Sequence, residues 1–302
     1  AWLLIATLRA FAERSTAERA ATYRAQAEAY RVAVETHGWD GAWYRRAYFD
    51  DGTPLGSSGN AECRIDAIAQ SWSVISGAGR PERQAMAMEA LEEHLVREAQ
   101  RMILLLTPPF DVSTHDPGYI KGYLPGVREN GAQYTHAAWW AVLATALQGR
   151  GERAFELFQM INPLSHARTP AEVAVYKVEP YVVAADVYTA AGQEGRGGWT
   201  WYTGSASWMY RVGLEGILGF DRHGDLLRIR PLAPPTWSTY TLTYRVGRST
   251  WLITVHHDGI SAREEGCVTV DGVDLAGPWI PLVDDAAQHV VEVWHSPRGG
   301  SS

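Results

Sequence analysis

The chain has 302 residues, of which 46% are hydrophobic and 20% charged, and 27 Lys and Arg stand against 34 Asp and Glu for a formal net charge of −7. This composition indicates a globular protein with a sizeable core and excludes a disordered chain. The acidic balance argues against broad binding of nucleic acid or of an anionic membrane. Two cysteines, Cys63 and Cys267, exclude a disulfide scaffold, and no apolar run reaches the ~18–20 residues that span a bilayer.

Residues 1–219 predict a mainly helical region. Apolar residues recur at helical spacing, and Gly or hydroxyl residues flank several of the segments. Long loops rich in Gly, Pro, Asn and aromatic residues separate them, as is common around functional sites. We expect helices over residues 1–15, 17–37 (with Thr16 as its cap), 66–77, 82–100, 133–149, 152–162, 171–191 and 204–218.

From about residue 220 the pattern changes to short alternating runs rich in β-branched and aromatic residues. The turn sequences RHGD, VGRS, DGI and DGVD separate these runs. We predict an antiparallel β domain over residues 220–298 and a flexible tail over residues 299–302. Its clearest strands are expected at residues 226–232, 240–246, 250–257 and 289–295.

The aromatic residues favour rings with a polar group, with 13 Trp and 14 Tyr against 6 Phe. Such rings suit surfaces that are half apolar and half hydrogen-bonding. Sugars present surfaces of this kind, and so do ordinary wet protein interfaces.

The segment GWDGAWYRRAYFDDG allows two interpretations. One of the carboxylates Asp40, Asp50 and Asp51 could be the general acid of a glycosidase, with Trp39 and Trp43 as neighbouring aromatic residues. Alternatively, the segment is a helix end followed by a hairpin whose turn is formed by Asp50, Asp51 and Gly52.

Two further segments place polar groups near expected helix starts. In GYLPGVRENGAQYTHAAWW, Arg128, Glu129 and His136 could bind an anion or a sugar hydroxyl, or they could belong to a capped helix with His136 in the core. In GRGGWTWYTGSASW, Thr203 and Gly204 could hold an oxyanion, or Thr203 could be an ordinary helix cap.

A fourth segment, YKVEPYVVAADVY, places Glu179 before Pro180. We expect these residues in the first turn of a helix, where a carboxylate either stabilises the dipole or binds a sugar hydroxyl. The sequence holds no HExxH, EF-hand, CxxC, P-loop or GxSxG motif, so it supports neither a metal site nor serine hydrolysis.

Taken together, these segments resemble glycoside hydrolase family 94, the inverting glycoside phosphorylases. The resemblance also includes IDAIAQSWSVISG, and it is strongest to the β-1,2-glucan branch, which contains β-1,2-oligoglucan phosphorylases and the carboxy-terminal region of cyclic β-1,2-glucan synthases. It implies the second half of an (α/α)6 barrel followed by a small antiparallel β-sandwich-like domain. The boundaries would be residues 1–219 for the half barrel and 220–298 for the β domain.

The resemblance implies that the general acid lies elsewhere. In the family this acid is an Asp in a motif like DWND, upstream of the helix that resembles AWLLIATLRAF, and no DWND occurs here. Asp40 belongs to a different family motif. We therefore expect a carboxy-terminal fragment that is inactive alone. Its exposed helix faces would be covered by the amino-terminal part of the same polypeptide or would favour association, for example as a homodimer.

The resemblance also implies binding residues. His136, Thr203 and Gly204 match phosphate contacts, while Tyr123, Arg128 and, less closely, Glu129 match positions near the acceptor-side sugar. Disaccharide phosphorylases of the family place a phosphate-contacting Gln after their PYV-like motif. This chain has Ala184 and Ala185 near that place, which argues against a disaccharide phosphorylase.

The chemistry implied for the intact enzyme is direct displacement by phosphate on a β-1,2-linked glucan, giving a shortened glucan and α-glucose 1-phosphate. Inorganic phosphate is the co-substrate, and no cofactor or metal is expected. The alternatives are a non-catalytic carbohydrate-binding remnant and an inverting hydrolase that uses water. The resemblance would fit a location on the cytoplasmic side. If the chain comes from a cyclic glucan synthase, it would be part of a larger membrane-anchored protein.

Overall fold

The structure of the chain is a computed structural model that describes residues 1–201, 203–234, 236–257 and 266–295. The predicted tail over residues 299–302 lies outside the described residues. Two compact units are present. The helical unit comprises residues 1–148 and 157–210, and the β unit comprises residues 149–156 together with the described residues from Arg211 onward.

Most predicted helices are present. A π-helical segment, Val212–Ile217, follows the last of them, and short 3₁₀ segments lie at Gly118–Gly122 and Pro163–His166. The α-helices of the described residues are α1 Trp2–Glu13, α2 Ala17–His37, α3 Ala67–Ile75, α4 Pro81–Leu95, α5 Thr135–Leu147, α6 Gly151–Ile161, α7 Pro170–Tyr176 and α8 Ser205–Arg211.

Helix α5 lies in the core of the helical unit. Its sequence THAAWWAVLATAL is apolar on every side, which is typical of a helix surrounded by protein. Trp139 is fully buried, and α3 packs against both α5 and α4. In contrast, α1 packs on α2 but exposes Leu3, Leu4 and Phe11. The predicted association of copies through such faces stays a prediction.

Pairs of two-residue strands hold the loops of the helical unit against the helix starts. Strand β3 leads directly into α3, and β7 leads directly into α5, so the pairing of each fixes where the helix begins. The pairs are β1 Ala47–Tyr48 with β2 Pro54–Leu55, β3 Ile65–Asp66 with β6 Leu106–Thr107, β4 Val96–Arg97 with β5 Met102–Ile103, and β7 Gln133–Tyr134 with β8 Asp186–Val187.

The helix predicted over residues 171–191 is wrong beyond Tyr176. Lys177 adopts a left-handed conformation with φ of 58°, and the chain continues as an irregular segment into β8. The run VVAADV is mostly apolar and is short enough to form either a helix or a strand. Its last two residues pair with β7, so this part of the run is a strand. Glu179 is therefore exposed in a turn rather than in the first turn of a helix. Two smaller differences concern α4, which ends at Leu95, and Thr16, which makes no side-chain cap bond.

Within its described residues the β unit contains two sheets, with strand orders β15-β10-β9 and β11-β12-β16-β13-β14 when the strands are numbered along the chain. Strands β11 and β12 form a hairpin in which Val246 faces Ser249. The strands are β9 Phe220–His223, β10 Leu226–Ile229, β11 Thr239–Val246, β12 Ser249–His256, β13 Val268–Val270, β14 Val273–Asp274, β15 Ile280–Pro281 and β16 Gln288–Trp294.

The prediction of an all-antiparallel β domain is wrong for one pair, because β12 and β16 run parallel with Thr250 opposite Gln288 and His256 opposite Trp294. Alternation in sequence does not reveal strand direction, and the long connection between these strands allows the parallel arrangement. Both sheets contribute to one core, which includes Leu227, Trp251 and Val291. Among the helices of the described residues, none combines the length and apolar character required to cross a bilayer.

Candidate functional site

The segment around Asp40 forms the predicted helix end and hairpin. The Asp40 carboxylate accepts hydrogen bonds from Ser57 Oγ at 2.7 Å, from Ser58 N at 2.7 Å and from Arg45 Nε at 3.0 Å. Burial raises the pKa of Asp40, but these donors outweigh burial and hold the pKa below its ordinary value. An acid that stays ionised cannot donate a proton, so the geometry favours a structural role for Asp40 over the general-acid hypothesis.

The structure brings together the residues expected to contact phosphate, here named the phosphate-side cluster: His136, Thr203 and Gly204. A Cβ on Gly204 would lie 3.3 Å from His136 Cε1, so the imidazole packs directly against this glycine. Thr203 Oγ1 accepts a hydrogen bond from Ser205 N at 3.1 Å, which places the threonine at the start of α8. Gly204 is exposed, and the other two side chains are half-buried, so a ligand can reach the cluster.

Its surroundings favour the neutral form of the His136 imidazole, which can donate one hydrogen bond. His136 is the second residue of α5, and burial lowers its pKa below 6.5. A neutral imidazole offers one N–H donor and one acceptor. At neutral pH His136 can therefore donate one hydrogen bond to an anion without contributing a full charge.

Three tryptophans, Trp72, Trp140 and Trp208, form an aromatic cluster, and two of them contact the His136 ring. The centroid of the His136 ring lies 4.7 Å from that of Trp140 and 5.9 Å from that of Trp208. Trp72 contacts Trp140 edge to face at 5.3 Å, which is a favourable geometry for aromatic pairs. This packing fixes the imidazole from one side.

The aromatic cluster also lines a cavity of about 830 Å³ in the helical unit. One wall carries Arg46, whose guanidinium donates to Asp66. Asp66 is fully buried and also caps α3 by accepting from Ile68 N at 2.9 Å. A cavity with aromatic walls and a fixed cation has the size and mixed polarity of a small-molecule site.

The acceptor-side residues also lie together. In this acceptor-side cluster, defined as Tyr123, Arg128 and Glu129, the Arg128 guanidinium lies 5.7 Å from the Tyr123 ring and 6.0 Å from the ring of Trp199. Within the described residues, Glu129 Oε2 is buried without a hydrogen-bond partner. A buried carboxylate oxygen that lacks a donor is costly unless a ligand supplies one.

The pairing of β7 with β8 connects the two clusters. Tyr134 pairs with Asp186, and Thr135 N donates to Ala185 O at 2.9 Å, immediately before His136. Ala185 N in turn donates to the backbone oxygen of Trp199 at 2.7 Å. The three segments that carry the candidate residues therefore meet at the start of α5.

Sequence reasoning missed Asp186 and Trp199. Asp186 is only 1% exposed and accepts a hydrogen bond from Trp199 N at 3.2 Å. Both residues stand in segments that the sequence analysis had selected, but the wrong helix over 171–191 concealed their proximity. Within the part of the chain that the structure describes, no group of three or more His, Cys, Asp or Glu is arranged to hold a metal ion.

Comparison with known proteins agrees with the motifs. A sequence model of the glycosyl hydrolase 94 superfamily catalytic domain matches residues 1–219. The chain is 53% identical over 264 residues to the cyclic β-(1,2)-glucan synthase NdvB of Rhizobium meliloti (strain 1021), which covers 86% of this chain and 9% of that protein.

Two phosphorylases are also similar. Solabiose phosphorylase of Paenibacillus borealis is 32% identical over 264 residues, covering 87% of this chain and 34% of that protein. N,N'-diacetylchitobiose phosphorylase of Vibrio furnissii is likewise 32% identical over 264 residues, covering 86% of this chain and 32% of that protein. The chain thus spans about a third or less of the length of these relatives. The family predicted from the motifs is confirmed: the chain belongs to the glycosyl hydrolase 94 superfamily.

Proposed function

We propose that this chain is part of a carbohydrate-active enzyme that carries out inverting phosphorolysis, or the reverse glycosyl transfer, on β-1,2-linked glucan and releases α-glucose 1-phosphate. The observation that carries the proposal is the phosphate-side cluster, in which the His136 ring lies against Gly204 beside Thr203. The His136 ring contacts Trp140 and Trp208, which also line the cavity that would receive the sugar.

In this proposal the chain's residues position the two reactants. His136 donates one hydrogen bond to a phosphate oxygen, and Thr203 and the exposed backbone at Gly204 supply the polar surroundings. Holding the anion in line with the anomeric carbon replaces the base and the water of an inverting glycosidase. The general acid would come from a part of the longer protein outside this sequence, as the absence of a DWND motif implies.

The β-1,2-glucan is the proposed substrate for two reasons. Identity is 53% to a cyclic β-(1,2)-glucan synthase against 32% to solabiose phosphorylase. Ala184 and Ala185 also stand near the place where disaccharide phosphorylases carry a Gln, and Ala185 is held there by the bond from Thr135 N. Inorganic phosphate is the only co-substrate proposed, without a further cofactor.

We propose the second half of an (α/α)6 barrel as the architecture of the helical unit. The contacts of α1 with α2 and α3, and of α3 with α4 and α5, follow the order expected for successive helix pairs around an axis. The shared core of the two sheets supports the sandwich-like description of the β unit.

The test measures glucose 1-phosphate released from β-1,2-glucan with and without inorganic phosphate. It compares this chain with the protein encoded by the complete reading frame. We expect phosphate-dependent release in the longer protein and none in this chain alone. Release of glucose without phosphate would favour the hydrolase instead, and binding of the glucan without turnover in either protein would favour the carbohydrate-binding remnant.

A further inference from the structure

Asp186 is a buried acid for which the proposed chemistry has no use. It lies in β8 and is 1% exposed. Its Oδ1 accepts a hydrogen bond from Trp199 N at 3.2 Å, whereas its Oδ2 is buried and has no hydrogen-bond partner within the described residues. A buried polar atom without a partner carries a free-energy cost, so its retention calls for an explanation.

Both the backbone and the side chain of Asp186 contact the segment from Gly198 to Trp199. Gly198 N donates to the backbone oxygen of Asp186 at 2.8 Å, and a Cβ on Gly198 would lie only 2.3 Å from Asp186 Oδ1. The side chain therefore fits only because residue 198 is glycine. The ring of Trp199 then lies 6.0 Å from the Arg128 guanidinium, on which Tyr123 also packs.

The groups around Asp186 act on the pKa of its carboxyl in opposite directions. Burial raises the pKa of Asp186, and the nearby Glu129 raises it further, while Arg128 and the N–H of Trp199 oppose both. Tyr134, across the β7–β8 pair, also lies within electrostatic range of both carboxyl groups. With Asp186 ionised, its buried Oδ2 carries charge without a hydrogen-bond donor, and a proton on this oxygen removes that buried charge.

We propose that Asp186 is a positioning residue that holds Trp199 against Arg128 beside the acceptor sugar, and that it acts as a neutral carboxylic acid. The positioning role is supported by the hydrogen bonds of Asp186 and by its contact with Gly198, and neither observation involves a ligand. Only the reference to the sugar rests on the proposed function.

The first test needs no ligand and compares Asp186→Asn with Asp186→Ala. Asn keeps an acceptor for Trp199 N and replaces the acid O–H by an N–H donor, whereas Ala removes both. We expect at least tenfold faster amide hydrogen exchange over residues 123–130 and 196–201 in Asp186→Ala and unchanged exchange in Asp186→Asn. Glu194→Gln, an exposed carboxylate on the same loop, is the matched control.

Equal exchange in wild type and Asp186→Ala would overturn the positioning role. Equal loss of protection in both variants would overturn the neutral state, because the ionised carboxylate would then be the holding group. Gly198→Ala provides a second route, since its Cβ would displace the acid, and we expect it to reproduce the exchange pattern of Asp186→Ala.

The second test measures stability against pH by urea unfolding. A raised pKa in the folded state stabilises the protein fully below the unfolded value of 3.8, and this contribution is lost as the pH rises through the folded value. Asp186→Asn removes this dependence, so we expect its unfolding midpoint to rise relative to wild type as the pH increases from 4 to 8. A relative fall over the same range would overturn the neutral state.

The third test measures binding of a β-1,2-linked glucose disaccharide by calorimetry. We expect affinity within about twofold of wild type for Asp186→Asn and at least a tenfold loss for Asp186→Ala. A disaccharide that fails to bind the wild-type protein would contradict the proposed sugar site and leave the two ligand-free tests to decide the role of Asp186. Equal affinity in all three proteins would overturn its role toward the sugar.

Discussion

In the helical unit, His136 is half-buried and His166 is buried, whereas His289 of the β unit lies between two carboxylates. Burial lowers the pKa of His136, and burial together with Arg101 lowers that of His166 to about 4. In the β unit, hydrogen bonds to Asp271 and Asp285 raise the pKa of His289. Burial thus favours the neutral form of His136 and His166, and the two carboxylates favour the charged form of His289.

The contrast separates two uses of the same side chain. A neutral ring at the start of α5 is a donor available to a ligand, because its own contacts are aromatic rather than ionic. His289 is already occupied: it bonds Asp271 Oδ2 at 2.8 Å and Asp285 Oδ1 at 3.2 Å, and it stacks on Trp251. A histidine without ionic partners at a cluster that a ligand can reach indicates binding, whereas a fully paired one indicates structure.

The largest expected effect comes from removing the ligand-facing ring. His136→Ala in the protein from the complete reading frame should lower kcat for glucose 1-phosphate release about 100- to 1,000-fold, the usual effect of losing one donor to a reacting anion. His289→Ala is the matched control and should leave kcat unchanged. Similar losses in both variants would erase the distinction between the two histidines.

A smaller effect is expected from crowding the same ring. Gly204→Ala would place a Cβ 3.3 Å from His136 Cε1, which requires the imidazole or the loop to shift by a few tenths of an ångström. We expect roughly a tenfold higher KM for phosphate, since misplacement of a positioning group weakens binding of the anion. Gly122→Ala, where nothing lies within 4 Å, is the control, and an unchanged KM in Gly204→Ala would argue against contact of this loop with phosphate.

Phosphorolysis by the protein from the complete reading frame should depend on the ionisation of His136. Because burial lowers the pKa of His136, the neutral ring is the dominant form above that value and is lost as the pH falls through it. We expect kcat/KM for phosphate to change in a step as the pH falls through the pKa of His136, which lies below 6.5, and we expect this step to be absent in His136→Gln, whose side chain stays neutral. A step of equal size in both proteins would mean that another group, such as phosphate itself, causes it, and would contradict its assignment to His136.

The smallest effect concerns the charged ring of the β unit. The raised pKa of His289 contributes stability that is fully present below the unfolded value of 6.5 and is lost as the pH rises through the folded value. His289→Gln should therefore increase the equilibrium constant for unfolding about twofold to fivefold at pH 5 and change it very little at pH 9. Urea unfolding at the two pH values measures this, and an equal effect at both would refute the pairing.

Local sequence patterns were sufficient where structure is decided locally. The all-round apolar sequence of α5 and the turn at Asp51, whose side chain accepts from Thr53 N at 2.9 Å, follow from nearby residues alone. The short run Ala184–Val187 could not be assigned in this way, because its pairing with Tyr134 spans about fifty residues of sequence. The same holds for the parallel pair β12 and β16.

The candidate site was predictable only in part, for the same reason. His136 and Gly204 could be selected from their motifs, but their contact depends on how α5 and α8 pack. Asp186 carried no local signal, since an acid after two alanines is unremarkable in an apparent helix. Its burial and its bond to Trp199 exist only once β8 is paired.

The most direct test follows the fate of phosphate and the anomeric configuration of the product by ³¹P and ¹H NMR. The protein from the complete reading frame would be incubated with β-1,2-glucan and inorganic phosphate. We expect the inorganic phosphate signal to fall while that of α-glucose 1-phosphate grows in equal amount, and we expect His136→Ala to stop both changes. A constant phosphate signal with accumulating free glucose, or formation of the β-anomer, would contradict the proposed inverting phosphorolysis.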